Sequence, residues 1–276
     1  MSALTGEPPE ALLGHTLDGV LGEDGAERVA HAASHVELED AALYVSAIDC
    51  VLPSKRMRFD LTTHRHDGTL IVEMEAAAAS GDAFDSIYPL TRTFARGLQN
   101  ASTVQELADL AVREVRAIKR FGRVMLYSFD DEGRSHVLAE DRDPDYASFL
   151  HQFFPASDIL RQARALYLRN RIRLVADVNY TPAPLVPPLN PLTGRPTDLT
   201  YATLRSFSPV HFEYMRNMNT HASMSVSIIV RGHLWGLVSY HDHDARFVPF
   251  NTQLAVEHLG HMLSLQIEAK EERAEG

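Results

Sequence analysis

Met57-Arg58-Phe59-Asp60-Leu61-Thr62-Thr63-His64, then Asp67-Gly68, then Thr69-Leu70-Ile71-Val72-Glu73-Met74-Glu75, is the stretch whose reading decides the fold. The first run alternates in polarity and is rich in strand formers, as a strand with two unlike faces requires. Asp-Gly between two such runs is a hairpin signal, because the turn needs residues that tolerate positive φ. An antiparallel sheet is therefore expected in the amino-terminal part. A short helix is expected before it, from Pro9 to Leu13, and Ala76 to Asp85 (AAAASGDAFD) reads as a linker.

A second, longer unit of mixed character follows. Ser102 with Gln105 makes a capping box, and Val104, Leu107, Ala108, Ala111, Val115 and Ile118 recur at helical spacing up to Gly122. Val124–Phe129 and Ser135–Glu140 flank a turn at Asp131-Glu132-Gly133. Met224–Val230 and His233–His241 flank another at Arg231-Gly232. Ser157 or Asp158 can cap a helix reaching about Asn170. From Val175 to Pro209 the chain is irregular and carries six prolines between 182 and 196; so long a connection is usually functional. The last expected helix, Asn251–Glu272, has an apolar stripe of Val256, Leu259, Leu263 and Ile267 that can seal a core or pair with a second copy. The expected fold class is α+β in two domains, 1–80 and 101–272, joined by a linker over 81–100.

The chain has 276 residues, 45% hydrophobic and 23% charged, as soluble globular proteins do. No apolar run approaches the ~20 residues of a membrane helix, and the start, MSALTGEPPEALLG, does not read as a secretory signal. Cys50 is the one cysteine, which excludes an internal disulfide and suits a reducing cytoplasm. A net charge of −11 without any basic run argues against nucleic acid and anionic membranes.

Three groups of residues can carry chemistry. Ser208, His211 and Asp158 supply the types of a hydrolytic triad, but no Gly-x-Ser-x-Gly elbow surrounds the serine and Pro209 follows it directly, so no enzyme is expected. His241 and His243 lie on one strand face, as do His64 and His66, yet nothing near in sequence completes a metal site. Arg164, Arg173 and Arg205 lie in or beside apolar stretches. They read either as surface ion pairs or as a cluster for a ligand with paired carboxylates, which guanidinium groups bind bidentately.

A resemblance to a known family enters at this point. Phe154-Pro155-Ala156-Ser157-Asp158-Ile159 with Gln162-Ala163-Arg164-Ala165-Leu166-Tyr167 resembles the PASDI-PxQARxLY stretch of bacterial phytochromes. Leu204 to Met218, LRSFSPVHFEYMRNM, is similar to their LRxxSPxHxxYxRNM segment. Leu234-Trp235-Gly236-Leu237-Val238 with His241 resembles LWGLIACHH, and the proline-rich loop with NPLTGRP resembles their lasso. The resemblance runs from about Leu4 to Glu272 and is looser in the first half. It implies a PAS domain followed by a GAF domain, each an antiparallel sheet with flanking helices. It also implies a linear tetrapyrrole, usually biliverdin, used for red and far-red sensing.

Residue by residue, the resemblance implies that Arg173 and Arg205 hold the propionates, with Tyr167, Ser208, Ser223 and Ser225 adding hydrogen bonds. His211 and the backbone carbonyl of Asp158, beside Ile159, would face the pyrrole nitrogens, often through a water. His241 would bond the D-ring carbonyl, and Tyr127, Phe154 and Tyr214 would box ring D. The family's attachment cysteines are not in place: the bacterial one lies upstream of the residues given, and Val210 stands where other members have theirs. Non-covalent binding is therefore expected, with a chromophore-free PAS–GAF scaffold as the alternative. Leu160 replaces the usual proline, and Tyr240 and Asp242 flank His241. A cytoplasmic homodimer through the carboxy-terminal helix, with a downstream signalling partner, completes the expectation.

Overall fold

The computed structural model describes residues 6–35, 42–51, 56–77, 82–119, 121–159 and 161–275. The chain divides into two compact units, Met1–Ala79 with Thr181–Ser206, and Ser80–Tyr180 with Phe207–Gly276. The amino-terminal unit is built on an antiparallel meander of β1 (Leu43–Val51), β2 (Arg56–His66) and β3 (Thr69–Ala76). β2 and β3 pair from Phe59 opposite Ala76 to His66 opposite Thr69. Their turn is Asp67-Gly68, at φ of 49° and 70°, which is the left-handed pair that Asp-Gly supplies.

Alternation along β2 sends Phe59 and Leu61 into a core with Ile48 and Cys50. Leu21 of α1 (Leu17–Leu21) and Val29 of α2 (Glu23–His35) complete it. Asp60, Thr62 and His64 point the other way and are nevertheless buried. What covers this face within the unit is the proline-rich segment. Tyr201 meets the rings of His64 and His66 edge-on at 6.1 and 5.5 Å. The buried Glu73 carboxylate accepts from the backbone N–H groups of Thr203 and Leu204 at 2.9 and 2.6 Å, and from the Thr203 hydroxyl. Asn190 donates to the Thr69 hydroxyl at 2.8 Å. Residues 181–206, which the expected boundary at 80 leaves with the second domain, therefore belong to the first unit, tied there by hydrogen bonds that no periodicity announces.

The carboxy-terminal unit begins with α3 (Asp82–Asn100) and α4 (Val104–Lys119). The expected linker over 81–100 is thus helical from Asp82. Phe94 and Leu98, four residues apart and so on one side of α3, are both 1% exposed in the core. The cap of α4 sits one residue later than expected: the Thr103 hydroxyl accepts from the Glu106 N–H at 3.1 Å, and the Glu106 carboxylate accepts from the Ser102 N–H.

Six antiparallel strands follow, in the order β6 (Phe153–Phe154), β5 (Ser135–Arg142), β4 (Arg123–Phe129), β9 (His233–Asp242), β8 (Ala222–Val230) and β7 (Ile172–Val175). The helix expected to start near Ser157 is α5 (Arg161–Arg169). The segment Ser208–Asn217 holds α6 (Pro209–Asn217), and the last helix, α7, spans Phe250–Glu275. Val256, Leu259, Leu263 and Ile267 of α7 are at most 2% exposed, packed in the same core as Phe94, Leu107 and Val226. The stripe therefore seals the core, and those four residues are not on offer to a second copy. Among the described residues no helix is long and apolar enough to cross a membrane.

The period of two divides this sheet cleanly. Val124 and Leu126 of β4, Ile172 of β7, Met224, Val226 and Ile228 of β8, and Val238 and Tyr240 of β9 face the helices. The intervening residues face the other side, where a cleft opens.

Candidate functional site

The cleft is lined by the second set of strand residues: Met125 and Tyr127 of β4, Arg173 and Val175 of β7, Ser223 and Ser225 of β8, and Ser239 and His241 of β9. Register places them in rows across the strands. Arg173 is opposite Ser225, Ser225 opposite Ser239, and Ser239 opposite Met125. One step along, Val175, Ser223, His241 and Arg123 form the next row. α6 forms part of the cover. Ser208 ends the extended approach, Pro209 occupies the first helical turn where its missing N–H is harmless, and His211, Tyr214, Met215 and Met218 then turn inward. Phe154, Asp158 and Ile159, together with Tyr167 of α5, complete the walls. The space is about 880 Å³, part of it open to solvent.

Arg173 dominates the electrostatics. Its guanidinium lies 4.3 Å from the centre of the Tyr167 ring, and burial lowers its pKa. Its Nε and one Nη are buried without a hydrogen-bond partner. A guanidinium does not shed its proton in a protein, so these donors call for an acceptor that the described residues do not supply.

The imidazoles of the cleft are neutral. His211, stacked on Phe207 at 5.7 Å, has its pKa lowered first by burial and then by Arg173. His241 is pushed down to about 3 by burial, then by Arg123 and His211. An Arg123 Nη lies 2.9 Å from His241 Nδ1, and Ser239 Oγ lies 3.1 Å from His241 Nε2. The Tyr214 hydroxyl donates to the Asp158 carboxylate at 3.4 Å, and burial with that carboxylate raises its pKa to about 12. Burial raises the pKa of Tyr127 well above the usual phenol value.

Of the residues expected at the site, Tyr127, Phe154, Asp158, Ile159, Tyr167, Arg173, His211, Tyr214, Ser223, Ser225 and His241 line this one cleft. Ser208 does not. Arg205 belongs to the amino-terminal unit and donates to the carbonyls of Leu199 and Thr200 at 3.4 and 3.0 Å, and Ser208 serves as the N-cap of α6. Arg164 is likewise spent on the carbonyls of Gly133 and Ile159. Among the described arginines of the carboxy-terminal unit, Arg173 lines the cleft and Arg164 does not. Asp158 pairs with the Tyr214 hydroxyl, and Ser208 stands at the N-cap position of α6 without a side-chain cap hydrogen bond. His243 stacks on Tyr146 at 3.7 Å, away from His241. Sequence reasoning missed Ser239 and Arg123. Ser239 was within reach, since it stands two residues before His241 and shares its face, whereas Arg123 needed the β4–β9 register.

The comparisons with known proteins agree on one group. The GAF domain family matches residues 103–269. The chromophore-binding domain of an unusual bacteriophytochrome from R. palustris is 37% identical; the likeness covers 99% of this chain and 88% of that one, with a TM-score of 0.90. The photosensory core module of the Stigmatella aurantiaca phytochrome is 36% identical with a TM-score of 0.88, over 98% of this chain and 54% of that one. Cyanobacterial phytochrome B of Nostoc is 37% identical over 272 residues, 98% of this chain and 36% of that protein. The chain thus spans about a third of the length of the first curated relatives.

Proposed function

We propose, from the premise that this chain belongs to the phytochrome family and carries its GAF domain, that its cleft binds a linear tetrapyrrole, biliverdin, non-covalently as a light-sensing module. The observation that carries the reading is Arg173: a half-buried cation that lines the cleft with its Nε and one Nη buried and unanswered. A propionate carboxylate is the acceptor those donors fit, since a guanidinium forks onto a carboxylate with two parallel hydrogen bonds. The pigment, when bound, supplies the absorption of red light and the double bond between its C and D rings that isomerises.

The chain's own residues do the rest. Arg173 neutralises and orients a propionate, with Ser223 and Ser225 beside it on β8. His211, held neutral, and the Asp158 carbonyl face the pyrrole nitrogens, where an acceptor stabilises protonated, cationic rings. His241 offers a hydrogen bond to the terminal D-ring carbonyl, and Tyr127, Phe154 and Tyr214 wall the volume in which that ring turns. The 276 residues contain one thiol. Cys50 is 7% exposed among Ile48, Phe59 and Leu61, with its pKa raised by burial, and it does not line the cleft. Binding by these residues is therefore read as non-covalent. The amino-terminal unit is read as the PAS domain, and cytoplasmic location, a homodimer and a downstream partner belong to the same reading. The competing function is a pigment-free signalling scaffold.

An absorbance spectrum of the purified protein mixed with biliverdin, followed by a zinc-stained denaturing gel, separates the two. A sharp red band without zinc fluorescence on the gel supports the proposal, and red or far-red illumination then tests switching. A spectrum identical to that of free biliverdin gives the scaffold reading the field.

A further inference from the structure

We infer that Arg123, which lies on the cleft face of the sheet but does not line the cleft, is a positioning residue that fixes the tautomer of His241 and so the edge of a ligand that the cleft accepts. Arg123 and His241 are cross-strand partners on β4 and β9 and therefore share a face. The guanidinium is buried and held on several sides. One Nη donates to the Ala147 carbonyl at 2.9 Å, the plane lies 4.1 Å from the Phe149 ring centre, and Tyr146 stands at 5.6 Å. The remaining Nη faces His241 Nδ1 at 2.9 Å.

That contact has one chemically consistent reading. Arginine has five N–H donors and no acceptor, so Nδ1 must present its lone pair. The ring is then neutral and its single hydrogen sits on Nε2. Nε2 faces Ser239 Oγ at 3.1 Å, and the serine oxygen accepts from it. Ser239 and His241 both line the cleft, and Arg123 does not. The direction of donation therefore runs Arg123 to His241 to Ser239.

A tautomer fixed in this way is selective. His241 Nε2 can donate to a ligand oxygen and cannot accept from a ligand N–H. A lactam ring presents both a carbonyl and an N–H, and this wall takes the carbonyl edge. The clause about the ligand rests on the bilin reading; the tautomer itself does not.

The test separates the two. Protein labelled with 15N-histidine is examined by NMR without pigment, with His241→Gln used to identify the His241 signals among the 14 histidines. The expected result is a protonated Nε2 and a bare Nδ1. Arg123→Met is expected to lose that pattern and give a mixture of tautomers, Arg123→Lys to keep it, because an ammonium also only donates, and Ser239→Ala to keep it as well. A hydrogen on Nδ1 in the unaltered protein, or an unchanged His241 in Arg123→Met, overturns the inference. Should Arg123→Met not fold, the unaltered protein and Ser239→Ala still decide. Loss of the tautomer in Ser239→Ala would hand the role to Ser239 and overturn it too. If the tautomer is as expected and biliverdin gives no red band, it is the bilin reading that fails and Arg123 keeps its role.

Discussion

Each of the two sheets carries polar side chains on a face that ends up buried, and the two faces are treated differently. On β2–β3 the chain closes the face itself. Glu73 is buried, and its oxygens are met by Thr203 and Leu204 of the proline-rich segment. His64 on the same face leaves both ring nitrogens unpartnered, but burial lowers its pKa and the neutral ring tolerates the position. On the six-stranded sheet, Arg173 is half-buried with two buried nitrogens unanswered, and it has no neutral form to retreat to. The lid thus answers Glu73 from within the chain, though it leaves one Asp60 oxygen and the His64 ring unpartnered, whereas Arg173 in the cleft keeps two donors for a partner from outside.

The sharpest way to break this contrast is to remove the charge on each face. Glu73→Ala removes the acceptor of the part-buried N–H groups of Thr203 and Leu204 and should cost about 2 kcal/mol of stability, the low end of 1–3 kcal/mol for each of two donors. Denaturant unfolding reads it, and a loss below about 1 kcal/mol would mean that the lid is not held by Glu73. Arg173→Met should act in the opposite sense on the apoprotein, raising its stability by about 1 kcal/mol, because an unpaired, half-buried cation gives way to a packed thioether. The same substitution should weaken biliverdin binding by about 1.5–3 kcal/mol, the range for hydrogen bonds to a charged group. A titration followed by absorbance checks the second half. A destabilised apoprotein with unchanged affinity would make Arg173 structural and remove the distinction.

His241 refines the comparison through pH. Its folded pKa of about 3 lies below the ordinary 6.5, so below pH 6.5 the unfolded chain binds the additional proton. The contribution is complete above pH 6.5 and is lost as pH falls from 6.5 toward 3, at about 1.4 kcal/mol per pH unit. Arg123 from β4 and His211 from α6 both face the ring and both oppose its charging. His64 and His211 tilt the whole profile in the same direction, so the informative quantity is the difference between the unaltered protein and His241→Gln. That difference should shrink steadily from pH 6.5 to 4.5. A constant difference would place the proton on His241 in the folded state and undo the neutral wall.

How much of this was legible depends on whether neighbours in the chain are neighbours in space. The β2–β3 hairpin was readable because Asp67-Gly68 and the alternation around it are local. The cleft was readable along its strands for the same reason, since Ser223 and Ser225 share a face, as do Ser239 and His241. Helix α3 was lost to an alanine-rich lead-in that reads as loop, although Phe94 and Leu98 carry the helical interval. Arg205 shows the harder limit. Its neighbours Phe207 and His211 belong to the cleft unit, yet it donates to the carbonyls of Leu199 and Thr200 in the other. A change of unit between adjacent residues leaves no periodic trace, and neither does the pairing of Arg123 with His241 across 118 positions.

The smallest expected effect separates two tyrosines that a sequence treats alike. Tyr201 is 6% exposed and closes the lid with edge contacts to His64 and His66, while Tyr214 is 40% exposed and lines the cleft. Aromatic edge contacts contribute about 0.5–1.5 kcal/mol beyond the area they bury, so Tyr201→Leu should lower stability by about 1 kcal/mol. Tyr214→Leu removes a 3.4 Å hydrogen bond to Asp158 at a partly solvated position, and its effect on stability should stay within about 0.5 kcal/mol. Its consequence belongs in the spectrum of the pigment-loaded protein, where a shifted red band is expected and Tyr201→Leu should give none. Thermal unfolding and absorbance on the same pair of variants are sufficient. Equal losses of stability with an unmoved spectrum would mean that both faces are ordinary core, and the case for a binding wall would then rest on Arg173 alone.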